Sequence, residues 1–182
     1  MSEKREQMKQ ETPLALTPLL QMAIRILQSD REQLLAMIDA ELADNPCLVQ
    51  RREPEAADDA TVATIGEDGA ISHVDLGELA LIDDTPPDPS EPGGQEAAKQ
   101  WQSAQWLITS LEKRRAMVQR LLGHLVALTP DYFSAAGETA PRITVSDLAS
   151  ALGLHESTVK RLVADKSVRC AHGVLPLAKF IG

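Results

Sequence analysis

The sequence predicts an all-α protein: an N-terminal helical hairpin and a C-terminal helical domain separated by a disordered acidic linker. Three observations lead there. Aromatic residues make up only 3% of the 182-residue chain. Any core must then be built from Leu, Ile, Val, Ala and Met, a composition that favours small helical units over a sheet sandwich. Apolar residues recur at helical spacing in three stretches. Charge is also unevenly spread, with 5 basic and 8 acidic side chains in residues 1–50, 3 and 13 in residues 51–100, and 10 and 6 in residues 101–182. The net charge of -9 is thus concentrated in the middle, and the basic C-terminal part remains suited to an anionic partner.

The hairpin is assigned to residues 14–49. Thr17-Pro18 reads as a helix start, with Pro tolerated in the first turn. Leu20, Ile24 and Leu27, joined by Met22 and Ala23, follow at helical spacing. Ser29 then reads as an N-cap with Glu32 three positions on, opening a second helix with Leu34, Leu35, Ile38 and Leu42 inward. Asn45-Pro46 ends it, because Pro disfavours helical geometry in the residue before it. Residues 50–95 combine the acidic run EPEAADDATVATIGEDG with the Pro- and Gly-rich DDTPPDPSEPGG. Such composition predicts disorder, with the apolar patch from Val74 to Ile82 as a transient helix or docking peptide. Residues 96–134 hold the longest helical pattern, through Leu107, Ile108, Leu111, Val118, Leu121, Leu122 and Leu125. Its length predicts a break near Ser110 or Gly123, and a loop carrying Tyr132, Phe133, Gly137 and Pro141 follows.

The last part, residues 142–182, contains ITVSDLASALGLHESTVKRLVA. Thr144 reads as an N-cap answered by Asp147, on a short helix presenting Leu148, Ala149 and Leu152 to one side. Ala149 is small, as a close helix crossing requires. Gly153 stands where the chain must turn through a left-handed backbone angle. Leu154 plugs the core, and a second helix from His155 or Glu156 turns Val159 and Leu162 inward. This is the pattern of a helix-turn-helix. Its outward face carries His155, Glu156, Ser157, Lys160 and Arg161, polar groups of the kind that reach base edges and phosphates in a major groove. Lys166, just beyond the helix, joins that set.

Other chemistry has little support. Cys47 and Cys170 are far apart with no CxxC, which argues against a disulfide framework or zinc site and for a reducing cytoplasm. His73, His124, His155 and His172 are scattered without metal-ligand spacing. Ser157 has no GxSxG surround, and Gly93-Gly94 is not followed by GK[ST]. No run approaches a membrane span, and the N-terminus MSEKREQMKQE has no signal-like apolar region. The expectation is a cytoplasmic protein that is not an enzyme, with no cofactor, no metal and no membrane partner.

Together these stretches resemble the bacterial sigma-54 family of RNA polymerase sigma factors. LTPLLQMAIRILQ and LLAMIDAELADNPCLV resemble its activator-interacting region, the acidic segment its variable second region, and AQWLITSLEKRR the end of its polymerase-binding segment. ITVSDLASALGLHESTVKRLVADK with HGVLPLAKF resembles its helix-turn-helix and trailing turn. Against that family the chain reads as a shortened member. Most of the core-binding domain is missing ahead of AQWLITSLEKRR, and the sequence stops at Gly182 before a C-terminal box of the ARRTVAKYRE type.

The resemblance implies a transcription initiation factor with three partners: core RNA polymerase, promoter DNA near the -12 element, and an AAA+ activator ATPase. The activator- and polymerase-interacting role would fall on Leu20, Gln21, Ile24, Leu27, Gln28 and Leu42, and DNA contact on His155, Glu156, Ser157, Lys160, Arg161 and Lys166. The shortening predicts impaired function. The alternative is a non-initiating interaction module or decoy that competes for an activator or polymerase, or a degenerate gene copy.

Overall fold

The computed structural model describes residues 18–57, 60–133, 140 and 142–182, with side chains described from Gln21 onward. Leu14, Thr17, Gly137 and Pro141 of the sequence reading lie outside the described residues. The described residues open with two helices, α1 (Pro18–Gln28) and α2 (Arg31–Asp44). The cap of α2 falls one residue later than the sequence suggests. Asp30 accepts from the Gln33 backbone N–H while the Gln33 side chain accepts from the Asp30 N–H, a reciprocal capping box that satisfies two orphan donors. Ser29 instead turns its hydroxyl back to donate to the Arg25 carbonyl at 2.8 Å.

Asn45 closes α2 as expected of the Asn-Pro pair, and it also anchors. Its amide donates to Glu41 Oε1 and to the Gln100 carbonyl, both at 2.8 Å, and its oxygen accepts from the Cys47 N–H.

The fold is not the all-α one that the sequence predicts, but mixed. The described residues hold six strands in two sheets, four of them around the segment read as a disordered linker. These are β1 (Leu48–Arg52), β2 (Thr61–Ile65), β3 (Ile71–His73) and β4 (Glu78–Leu81). β1 pairs antiparallel with β4 in register Leu48↔Leu81, so the Val74–Ile82 patch supplies a strand and not a helix. β2 and β3 form a hairpin across GEDGA, where Gly69 takes φ 78° and Asp68 accepts from the Ala70 N–H. β2 carries Val62, Ala63 and Ile65, all buried. A high acidic fraction over fifty residues therefore concealed a five-residue apolar segment that finds a complete environment elsewhere in the chain.

That environment is the C-terminal part. After the helices described below, β5 (Ser167–Cys170) and β6 (Gly173–Pro176) form an antiparallel hairpin, and β2 pairs parallel with β5 through Ala63↔Val168 and Thr64↔Arg169. The resulting strand order is β3-β2-β5-β6.

The two sheets belong to two apolar cores, and one helix runs through both. α3 (Gly94–Leu128) is 35 residues long, about 52 Å at 1.5 Å per residue. The expected break at Ser110 or Gly123 does not occur. Burial along one stripe, Ala104, Leu107, Ser110, Arg114, Val118, Leu121, Leu122 and Leu125, gives the helix tertiary support along its length, so the usual limit on isolated helices does not bind. Its first half packs with Ile26, Leu34 and Leu48. Its second half packs with β2 and the C-terminal helices.

Gly94 opens α3 against the preceding loop, where an added Cβ would lie 1.9 Å from the Asp88 carbonyl oxygen. Gly94→Ala is expected to destabilise the chain by roughly 1–3 kcal/mol through this backbone clash. A urea midpoint indistinguishable from wild type would refute it.

Candidate nucleic-acid interface

α4 (Pro130–Phe133) follows α3, then α5 (Val145–Leu152) and α6 (Glu156–Val163). Thr144 caps α5, its hydroxyl oxygen accepting from the Asp147 N–H and its O–H donating to Asp147 Oδ2 at 2.7 Å. Gly153 ends α5 in the left-handed region at φ 66°. A Cβ there would meet nothing within 4 Å, so the demand for glycine is conformational and not one of space. Arg120 on α3 donates to the Leu152 carbonyl at 2.9 Å, satisfying one of the orphan acceptors of the helix end. His155 caps α6: its Nδ1 accepts from the Ser157 N–H and lies 2.9 Å from Ser157 Oγ.

α6 is sharply two-sided. Val159, Leu162 and Val163 are buried against Leu148, Ala149 and Leu152, while His155, Glu156, Ser157, Lys160 and Arg161 are exposed. Five of the six residues assigned to DNA contact thus share one open face on a rigid support. That support includes both phenylalanines and the single tyrosine of the chain. Phe133 lies 5.7 Å from Phe180, and Tyr132 sits edge-on to both and stacks on His172 at 4.4 Å between ring centroids.

Lys166 is the exception. It is 1% exposed, and its ammonium donates to the Gln28 carbonyl at 3.3 Å and to the Ala164 carbonyl at 3.4 Å. Gln28 is the last residue of α1, so a residue expected at DNA faces the elbow of the N-terminal hairpin. Arg114, on the core stripe of α3, reaches the same elbow and donates to the Ser29 carbonyl at 3.2 Å. Two cations therefore meet the C-terminal carbonyls of α1, where the helix dipole is negative. Burial makes both give up their protons more readily. Desolvation lowers the Arg114 pKa to about 10, with Asp30 opposing. Desolvation, then repulsion from Arg114, lowers that of Lys166 to about 8 against the pull of Asp165 and Asp30.

This shift has a signed consequence. In the unfolded chain Lys166 holds its proton up to its ordinary pKa of 10.5, while in the folded chain it releases it near 8. Between those values the unfolded state binds more protons, so stability rises with pH; below 8 both states are charged and the contribution is flat. Going from pH 7.5 to 9.5 is expected to add up to about 2 kcal/mol. Urea unfolding of wild type beside Lys166→Met checks this, and an equal pH slope in the two would refute it.

Of the residues assigned to the hairpin's interactions, Gln21 and Gln28 are exposed and Ile24, Leu27 and Leu42 are half-buried; for Leu20 only the backbone in α1 is described. The most deeply buried side chain of α1 is Ile26, at 0% exposure, which the spacing argument passed over. Arg114 was passed over too, although a charge at the position of an apolar stripe was a legible signal.

Two family models divide this arrangement. One, the sigma-54 DNA-binding domain, matches residues 94–182 and so begins at the first residue of α3. The other, the activator-interacting domain of the sigma-54 factor, matches residues 7–50, which include α1 and α2. The chain belongs to the sigma-54 family. An RNA polymerase sigma-54 factor of Xanthomonas euvesicatoria is 35% identical over 81 residues, 44% of this chain and 17% of that protein. Those of Escherichia coli K12, at 32% over 79 residues, and Bacillus subtilis 168, at 28% over 80, cover 43% and 44% of this chain. The matched stretch spans less than a fifth of each of these relatives, 17% and 18% in the last two. Within this sigma-54 chain, residues 51–93, including β2, β3 and β4, fall between the two family matches.

Among the described residues no group of His, Cys, Asp and Glu is placed to hold a metal ion, and no helix is long and apolar enough to cross a membrane.

Proposed function

We propose that the chain is a transcription initiation factor that reads promoter DNA with α6, engages core RNA polymerase, and carries in α1–α2 a segment that answers to an AAA+ activator. The observation that carries this reading is the open polar face of α6, His155 to Arg161, on a helix pair whose other face is fully buried, within the stretch matched by the sigma-54 DNA-binding domain. Lys160 and Arg161 supply the cations that phosphates and guanine edges attract, and His155 and Ser157 supply hydrogen-bonding groups at the helix N-terminus.

In this reading Gln21, Ile24, Leu27, Gln28 and Leu42, with Leu20, form the activator- and polymerase-facing side of the hairpin. Lys166 serves DNA only when α1 has left the elbow, because its ammonium is otherwise committed to the Gln28 carbonyl.

The test is a gel-shift titration with a promoter fragment at about 50 and 200 mM salt, beside a polymerase core pull-down with activator-dependent transcription. Phosphate contacts make affinity fall steeply with salt. Salt-dependent binding with core retention and activator-dependent open complexes supports the proposal. Core binding that blocks a full-length sigma-54 factor without initiating would replace it with a competitor, and equal DNA affinity at both salts would remove the electrostatic part.

A further inference from the structure

Between the middle of α3 and the crossing from β3 to β4 lies a cavity of about 400 Å³, within the size range of small-molecule sites. Its floor is apolar, with Val62, Leu79, Ile108, Leu111 and Val118, and it sits where the two cores adjoin. Its lining carries three arginines and three carboxylates, which are unevenly paired. Asp75 and Glu78 are taken up by Arg52, which pairs with both. The remaining charged lining residues are Arg114, Arg115 and Glu112, with His73 beside them. Arg115 is exposed, and among the described residues it has no ion-pair or hydrogen-bond partner. Arg114 is buried, and its Nε has no partner.

His73 faces Arg115 and Arg114 at this cavity. Its pKa is lowered, first by burial and then by the charges of Arg115 and Arg114, with only the hydrogen bond to Gln119 at 2.5 Å opposing. No carboxylate contributes to that balance. An apolar floor beside Arg115, whose guanidinium has no ion-pair partner among the described residues, suits a ligand with an acidic head and a compact hydrocarbon body.

We propose that this cavity is a binding site for a small organic anion, whose acidic group meets Arg115 and His73 and whose apolar body covers the floor formed by α3 and β4. It is separate from the open face of α6, so DNA binding stands or falls without it.

The test uses the full chain with benzoate, phenyl phosphate and the uncharged benzyl alcohol, at constant ionic strength. Binding is followed by the His73 ring resonances and by thermal melting. Expected are a saturable change at His73 and a rise in Tm with benzoate, with phenyl phosphate, or with both; which of them acts identifies the head group. Arg115→Ala, an exposed position whose loss leaves the core untouched, is expected to weaken that binding by about tenfold or more. The proposal is overturned if neither anion binds, if benzyl alcohol acts equally, or if Arg115→Ala binds as wild type does.

Discussion

Replacing Lys160 and Arg161 together by alanine is expected to weaken promoter binding by roughly 30-fold to 10⁴-fold, since each good contact of this kind contributes about 1–3 kcal/mol. Both side chains lie on the exposed face of α6, away from Val159, Leu162 and Val163. Stability should therefore change by no more than about 0.5 kcal/mol, and circular dichroism should be unaltered. Any of the lost contacts that go to phosphates also carry the salt dependence, so the slope of log affinity against log salt should fall by up to about 2. A fluorescence-anisotropy titration at several salt concentrations measures both quantities. Unchanged affinity in a folded double variant would show that α6 is not the reading helix.

Phe133→Ala is expected to have the largest effect on stability, a loss of about 3–5 kcal/mol. The ring is 0% exposed and lies among Tyr132, Phe180 and the apolar side chains of α3. In a chain with few aromatics no neighbour can fill the space it vacates. For a chain of this size the loss corresponds to a fall in Tm of about 6–20 °C, readable in a thermal melt. A fall below about 2 °C would mean that the cluster around Phe180 repacks without it. The first variant loses binding with the fold kept, whereas this one loses binding only as far as the fold is lost.

What the sequence disclosed of this molecule follows from the range of the forces involved. The α5–α6 pair was legible because each position answers a local demand: a hydroxyl at Thr144, a left-handed turn at Gly153, a small side chain at Ala149. The same holds for the stop at Asn45. The strands were not legible for the opposite reason. β2 is stabilised by β5 and by α3, with Thr64 opposite Arg169, and no periodicity within five residues announces a neighbour more than a hundred positions away. The uninterrupted α3 was hidden likewise, because its length depends on two cores that cover successive halves.

Lys166 shows the limit most clearly. The sequence reading assigns Lys166 to DNA contact, and only the folded chain reveals that its ammonium is closed in against the Gln28 carbonyl. Five of the six residues assigned to DNA contact are exposed and Lys166 is buried, while the Arg114–Lys166 contact with the hairpin was not readable at all.

The order in which the chain visits its two cores has one more consequence. It builds the first with α1, α2 and β1, crosses to the second for β2 and β3, returns with β4, and then passes through both along α3. No single cut divides such an interleaved path into two self-sufficient pieces. A fragment starting at Gly94 would carry the whole α5–α6 pair yet leave β5 with an open edge and its apolar face uncovered, a site at which strands of other molecules pair. Severed halves, mixed again, would have to find each other before either was whole.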